Sequence, residues 1–227
     1  MVARRGLAST LSDPTPKGID AWGATGLIGS AMIVEQTVTY LRMPNPRQLR
    51  PSRPVEGLEL GQVDDPSGIG TPVLRALHDQ IAAPHHWSSL SWSDGRWKEW
   101  LTTPGLQHWY VEFRGRRIGW ACLQRHSATE VEIDNFGLIP SVVGQGFGGP
   151  ALTRLTRIAW DLIVEEGIPA EESAAAPCVW LHTSSFDHPH ALPNYQARGF
   201  EVYAHETRQR RVEPAVSPSK PASPNSS

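Results

Sequence analysis

Seven residues carry most of the information about the fold, and they run Val143-Gly144-Gln145-Gly146-Phe147-Gly148-Gly149. Their four glycines can adopt positive φ and leave room for a ligand to approach the backbone. Pro150 follows, and proline is tolerated in the first turn of a helix because its missing N–H would have no partner there. Since the first N–H groups of a helix attract anions, the stretch predicts a phosphate-binding turn at a helix N-terminus.

The residues around this turn exclude two common nucleotide-binding folds. A P-loop would end in Gly-Lys-Ser or Gly-Lys-Thr, whereas this turn ends in Gly148-Gly149-Pro150. A dinucleotide-binding fold places its glycines after the first strand of a parallel βαβ unit. Here three predicted antiparallel strands precede the glycines, at residues 109–113, 117–124 and 130–139.

The rest of the chain alternates between strand and helix patterns. Strand-like runs predict a first strand at 37–43, a segment at 58–63 that extends it or pairs with it, a buried strand at 178–183 and a last strand at 200–203. Helical spacing of apolar residues predicts helices at 71–81, 91–101, 152–163 and 189–198. The third helix is expected to end near Gly167, and Gly199 is expected to close the fourth.

Composition narrows the classes of protein that the chain can belong to. The formal net charge is -2 and no long basic run is present, which argues against a nucleic-acid partner. Cys122 and Cys178 have no zinc-binding spacing, and as reduced thiols they fit a cytoplasmic protein. Residues 1–31 lack an uninterrupted apolar run for export and are expected to be a disordered extension. Residues 213–227, rich in Pro and Ser, are expected to be a disordered tail, and no membrane association is expected.

Two blocks of sequence resemble the GNAT acetyltransferase superfamily. In that family a strand end, one residue and Pro lead into the motif Gln/Arg-x-x-Gly-x-Gly/Ala, and Leu138-Ile139-Pro140 followed by the glycine turn is similar to this block. Residues 187–200 are similar to the family's later helix, whose motif is Asn-Pro-x-Ala-x-x-x-Tyr-x-x-x-Gly-Phe. The resemblance covers residues 58–203. It implies an α/β (α+β) GNAT fold over 32–212, with a mixed, mostly antiparallel twisted sheet of six to seven strands and about four helices.

The resemblance also implies acetyl-CoA as co-substrate, with no metal. The residues expected to contact it are the strand end Phe136, Gly137 and Leu138, all seven residues of the glycine turn, His188 and Tyr195. Val143 stands where the family usually has Gln or Arg, so backbone amides are expected to bind most of the diphosphate, with a somewhat weaker affinity. His188 stands where many members have Asn, and it can still hydrogen-bond to the pantetheine arm.

The family transfers the acyl group directly from the thioester to an amine, and the amine must first lose a proton. Glu132 lies six residues before Leu138, where some members place the general base, and Asp134 is the second candidate. Alternation places both carboxylates on one face unless a bulge intervenes. Tyr195 aligns with the general acid that protonates the CoA thiolate. The alternatives without a catalytic role are that Glu132 and Asp134 are carboxylates solvated on the open face of the sheet, and that Tyr195 is a packing residue.

Other residues offer different chemistry near the same place. Cys122 or Cys178 could act as a nucleophile in a ping-pong route, although both lie in runs that look buried. His182 and His188 could act as acid or base, although a histidine in a strand is more often structural. These alternatives stay open at the level of the sequence.

Tryptophans concentrate in the region that covers the acceptor end of the family's cleft. Trp87, Trp92 and Trp97 are the expected acceptor contacts, since indole rings attract cations and flat rings, with core packing as the alternative. The leading function is therefore N-acetylation of a small-molecule or amino-acid-like amine. The alternatives are a protein or peptide N-acetyltransferase and a CoA-binding domain with lapsed or altered chemistry. The oligomeric state is open, with a homodimer among the expected arrangements.

Overall fold

A computed structural model describes residues 32–164 and 176–212. The predicted extension at 1–31, the tail at 213–227 and the helix end near Gly167 lie outside these ranges. The described residues form seven strands and four helices: β1 Met32–Met43, β2 Leu58–Gln62, α1 Gly70–Ala82, α2 Asp94–Leu101, β3 Leu106–Phe113, β4 Arg116–Ser127, β5 Glu130–Leu138, α3 Gly148–Val164, β6 Cys178–Ser184, α4 Ala191–Ala197 and β7 Glu201–Val212.

All seven strands lie in one sheet, in the order β2-β3-β4-β5-β6-β1-β7. Every neighbouring pair is antiparallel except β5 and β6, which are parallel. A parallel pair needs a crossover connection, and α3 provides it between the two strands. The predicted mixed, mostly antiparallel sheet with about four helices is confirmed.

The position of β1 differs from the prediction. Residues 58–62 form β2, which pairs with β3 and not with the first strand, as in the pair Leu60↔Val111. The first strand instead lies between β6 and β7, with Tyr40 opposite both His182 and Ala204. Alternation of apolar residues determines which face of a strand is buried, but it contains no information about a partner some 140 residues away.

Each face of the sheet carries its own cluster of buried side chains. On one face α3 and α4 cover a cluster that includes Ile133, Leu155 and Leu181. On the other face α1 and α2 cover a cluster that includes Leu77, Trp97 and Trp120. Because side chains alternate along a strand, residues that flank Ile133 and Leu181 point to the face of α1 and α2.

Strand β6 is therefore only half buried, in contrast to the buried strand predicted from its apolar composition. Val179, Leu181 and Thr183 are buried, whereas Trp180 and His182 are not. This alternation is typical of a sheet with one face partly open to solvent. It places an imidazole on the side of β6 that is not covered by α3.

Candidate active site

The glycine turn has the geometry that the sequence predicts, a strand followed by a tight turn and a helix start. Gly144 and Gly146 have φ of 83° and 87°, in the left-handed region that side chains with a Cβ rarely adopt. Helix α3 begins at Gly148, so its first N–H groups follow directly on the turn. The predicted contacts of these residues with phosphate remain a prediction.

A positive charge that sequence reasoning missed lies next to this turn. A Cβ built on Gly149 would collide with the guanidinium of Arg198 and would also approach Ser52. Arg198 is the last residue before Gly199 at the end of α4, and the spacing from the turn, almost fifty residues, hides the contact from the sequence. The guanidinium and the start of α3 together make this end of the sheet attractive to an anion. Val143, which replaces the family's Gln or Arg at the first position of the turn, has an apolar side chain that is 37% exposed.

The sheet splits between β5 and β6. The two strands pair from Glu130↔Cys178 to Ile133↔Leu181, and no further pair joins them in the described residues, although β5 continues to Leu138. A bulge begins the split, because Leu123 of β4 is opposite Ile133 while Cys122 is opposite Asn135, which leaves Asp134 as the extra residue. Residues 134–138 thus form a strand edge inside the sheet, where an extended ligand rich in amides could bind.

Glu132 lies at the closed end of the split and is held by two histidines. Its Oε2 accepts a hydrogen bond from Nε2 of His126 at 2.8 Å, and its Oε1 accepts one from Nδ1 of His182 at 3.1 Å. Burial alone would raise the pKa of Glu132, but the hydrogen bonds and charges of the two imidazoles outweigh burial and hold the pKa below its ordinary value. The hydrogen bond that His126 donates to Glu132 raises the pKa of the His126 imidazole.

Asp134 is the extra residue of the β5 bulge, where simple alternation does not apply, and its carboxyl group lies near enough to Glu132 for the two charges to interact. Burial and the nearby charge of Glu132 raise the pKa of Asp134 to about 6. Its Oδ2 accepts a hydrogen bond from Nδ2 of Asn135 at 2.8 Å. Two carboxyl groups whose pKa values are shifted in opposite directions thus lie beside the split.

Comparison with solved structures identifies the fold. A GCN5-related N-acetyltransferase from Kribbella flavida superposes with a TM-score of 0.52 at 16% identity, covering 80% of this chain and 59% of that chain. The chain has the GNAT fold. A putative GNAT-family acetyltransferase from Novosphingobium aromaticivorans has a TM-score of 0.48 at 17% identity and covers 78% of this chain and 65% of that chain. An N-acetyltransferase from Sphaerobacter thermophilus has a TM-score of 0.49 at 15% identity, with 83% and 55% covered.

No protein-family model and no curated protein matches the chain. The chain spans only 55% to 65% of the length of these three solved structures. The comparison with the Kribbella flavida structure thus shows the fold alone, and the activity has to be argued from the side chains. None of the helices in the described ranges is long and apolar enough to cross a membrane.

Tyr195 and His188, the two residues after β6 that are predicted to contact acetyl-CoA, have different surroundings. Tyr195 on α4 is 8% exposed and packs in the cluster under α3, and burial raises the pKa of its phenol. His188 is half-buried, and its Nδ1 accepts a hydrogen bond from the backbone N–H of His190 at 3.2 Å. The roles of Tyr195 as general acid and His188 as a pantetheine contact remain predictions.

The predicted tryptophan surface turns out to be largely core. Trp97 is 2% exposed and packs against Trp120, so it cannot contact an acceptor without leaving the core. Trp87 and Trp92 are half-buried against the same cluster, and Nε1 of Trp87 donates to Asp187 at 3.1 Å. The packing alternative is correct for Trp97, because a helix with tryptophans at helical spacing buries its apolar face whatever the fold binds.

Both cysteines of the ping-pong alternative lie in surroundings that disfavour the thiolate. Cys122 is fully buried, its Sγ lies 3.0 Å from Nδ1 of His108, and burial raises the pKa of the thiol well above its ordinary value. Burial also raises the pKa of the Cys178 thiol. Because the thiolate is the nucleophilic form, neither cysteine suits acyl transfer.

Proposed function

We propose that the protein transfers an acetyl or other acyl group from an acyl-CoA directly to a primary amine of a small molecule. The observation that supports this proposal is the split between β5 and β6. An anion-attracting turn lies beyond its open end, and two carboxyl groups and an imidazole lie at its closed end. An acyl donor with a diphosphate and an amide-rich arm matches that order of features.

The residues of the chain fit acetyl-CoA at three places. Gly144 and Gly146 present backbone amides to the diphosphate together with the start of α3 and the Arg198 guanidinium. The edge formed by residues 134–138 can hydrogen-bond the amides of the pantetheine arm. The bound thioester supplies the activated acyl group. An arm lying along this edge would direct its reactive end toward Glu132 and Asp134.

The carboxyl groups favour a cationic acceptor. An alkyl amine has a pKa near 10 and arrives mostly protonated at neutral pH, so the site must both attract the ammonium and remove a proton. Glu132 is ionised under these conditions, since its pKa lies below the ordinary value. Its charge attracts the ammonium, and the neighbouring imidazoles can accept protons near neutral pH.

The experiment that tests this function is a thiol-release screen. Purified protein is incubated with acetyl-CoA or longer acyl-CoAs and with amines, amino acids, aminoglycosides or peptides, and free CoA is measured with a thiol reagent. We expect release that depends on a small amine. Release of CoA with peptides alone would favour a protein acceptor. Binding of acetyl-CoA without release of CoA for any tested acceptor would favour a domain with lapsed chemistry.

Two matched glycine variants test whether the turn binds the donor. Gly146 and Gly115 both have positive φ, at 87° and 75°, and a Cβ on either would meet nothing within 4 Å. Gly146→Ala and Gly115→Ala should therefore lose a similar free energy of unfolding, about 1–2 kcal/mol. Only Gly146→Ala should raise the KM for acetyl-CoA, since Gly115 lies in the hairpin between β3 and β4. An equal change in KM for both variants would rule out the turn as the diphosphate site.

A further inference from the structure

The carboxylate of Glu132 is enclosed by its partners. The residue is 6% exposed, and each of its two carboxylate oxygens already accepts a hydrogen bond from a histidine. His126 is further fixed by stacking on Trp180, with ring centroids 5.6 Å apart and an interplanar angle of 22°. Each oxygen retains a second lone pair, but burial leaves a substrate amine little access to it, whereas the imidazole of His182 is more exposed.

His182 is the member of this cluster that faces the split. It is the first residue of β6 after the last pair with β5, Ile133↔Leu181, and 38% of its side-chain surface is exposed. Its Nδ1 lies against Glu132, so Nε2, on the far side of the ring, points away from the carboxylate. Within residues 32–164 and 176–212, Nε2 has no hydrogen-bond partner.

A carboxylate beside Nδ1 determines which tautomer the imidazole adopts. Glu132 can only accept at Oε1, so the neutral ring carries its proton on Nδ1 and has its lone pair on Nε2. Tyr40 of β1, opposite His182 in the sheet, has its ring centroid 5.9 Å from that of the imidazole and packs beside it. The free lone pair is thus held at the edge of the split, where the acceptor amine has to arrive.

From this geometry we propose that His182 is the catalytic base, and that Glu132 is a positioning residue that orients the imidazole and stabilises its charged form. The inference rests on the proposed acyl transfer and replaces the direct role predicted for Glu132. His126 holds the second oxygen of Glu132, and so prevents the carboxylate from turning toward the substrate.

The proton and electron balance of the step is simple. Nε2 of His182 takes one proton from the substrate ammonium, and the freed lone pair on nitrogen forms the C–N bond to the acyl carbon. The C–S bond breaks, and its electron pair leaves on the CoA sulfur. A second proton from the same nitrogen is transferred to that sulfur, giving the amide and the thiol. His182 then releases its proton to water through its exposed side.

The charges that face His182 favour its protonated form. Glu132 and Asp134 face it from β5, Asp187 from the segment after β6, and the Tyr40 phenol from β1. Burial lowers the pKa of His182, but the hydrogen bond to Glu132 and the three carboxylates outweigh burial and raise the pKa above its ordinary value. The base should therefore lose its proton, and the rate should rise, at a higher pH than for a histidine with an ordinary pKa.

Four variants test the assignment on the full chain, the fourth being His182→Ala for rescue by added imidazole. His182→Asn keeps an amide N–H that can donate to Glu132 but has no base, and Glu132→Gln removes the charge while leaving the imidazole. His205→Asn is the matched control, since His205 is an exposed histidine on β7, opposite Thr39. The readouts are kcat/KM against pH with the best amine from the screen, and the Kd for acetyl-CoA.

We expect His182→Asn to lower kcat by roughly 10²–10⁴-fold, without the rise of rate with pH and with an unchanged Kd. Glu132→Gln should keep that rise but move it to lower pH, because the pKa of His182 falls when the carboxylate charge is removed. His205→Asn should behave as the wild type does. In His182→Ala, added imidazole should restore part of the rate.

The outcomes separate this inference from the proposed function. If the wild type releases thiol and His182→Asn keeps its rate and pH profile, His182 is not the base. If Glu132→Gln abolishes the pH-dependent rise while His182→Asn retains it, Glu132 is the base. A wild type that transfers no acyl group to any amine overturns the proposed function and the role of His182 with it.

Discussion

Asp134 occupies the point where β5 leaves its partner β6, and its surroundings favour the protonated carboxyl group. Its pKa is raised from 3.8 to about 6, first by burial and then by the charge of Glu132. Between pH 4 and pH 6 the folded chain therefore retains a proton that the unfolded chain has lost. This contribution to stability is present at low pH and is lost as the pH rises through that window.

Asp134→Asn should reveal this contribution in its pH dependence. Relative to the wild type, the variant should gain about 1–3 kcal/mol in free energy of unfolding between pH 4.5 and pH 7.5, because an amide cannot ionise. Urea denaturation of both proteins at the two pH values measures the change. An Asp134→Asn effect of the same size at both pH values would show that the carboxyl group titrates normally.

At the scale of single residues, the sequence predicted some members of the candidate site and gave no sign of the others. Glu132 and Asp134 could be found because a strand alternates and the glycine turn marks its end. The partners of Glu132 could not, since His126 and His182 lie on neighbouring strands, and residue spacing does not encode which strands become neighbours. The same limit hid the contact of Arg198 with Gly149.

At the scale of elements, β5 and helix α1, which packs against its Gly137, form one wall of the candidate site. Gly137 of β5 faces Ile81 of α1 so closely that a Cβ on Gly137 would collide with the Ile81 side chain. Ile81 is itself 3% exposed and belongs to the cluster under α1 and α2. The absence of a side chain at Gly137 thus determines how near α1 can lie to the strand edge.

A double-mutant cycle tests this contact. Gly137→Ala should cost about 1–3 kcal/mol of stability through overpacking, and Ile81→Ala should cost about 2–5 kcal/mol through the cavity that it leaves. In the double variant the new methyl group occupies part of that cavity, so the total cost should be less than the sum. Purely additive values from urea denaturation would mean that α1 does not rest on Gly137.

Elements with a strong local signal were predicted well, and those that depend on distant partners were not. The hairpin of β3 and β4, strand β5, the glycine turn and α3 each have their own turn or periodic pattern. Strand β7, predicted for four residues only, extends to Val212 because it pairs with β1 along its length. Residues 205–209 of β7 are all exposed, so this part of the strand lacks the alternation of apolar and polar residues from which a strand is predicted.

At the scale of the whole molecule, the sheet consists of two parts joined by few contacts. Strands β2 to β5 form one part and β6, β1 and β7 the other, and the parallel pairing from Glu130↔Cys178 to Ile133↔Leu181 connects them. The split beyond this joint is the candidate site, with the glycine turn outside it and the Glu132 cluster at its closed end. The central claim is that an acyl-CoA binds along this split.

Hydrogen–deuterium exchange of the full chain with and without acetyl-CoA tests that claim directly, since it locates the ligand whatever the acceptor is. We predict slower exchange of the amides in residues 134–138 and 143–149 when acetyl-CoA is bound, with little change in β7. Binding of acetyl-CoA that leaves both of these segments unprotected would contradict the account.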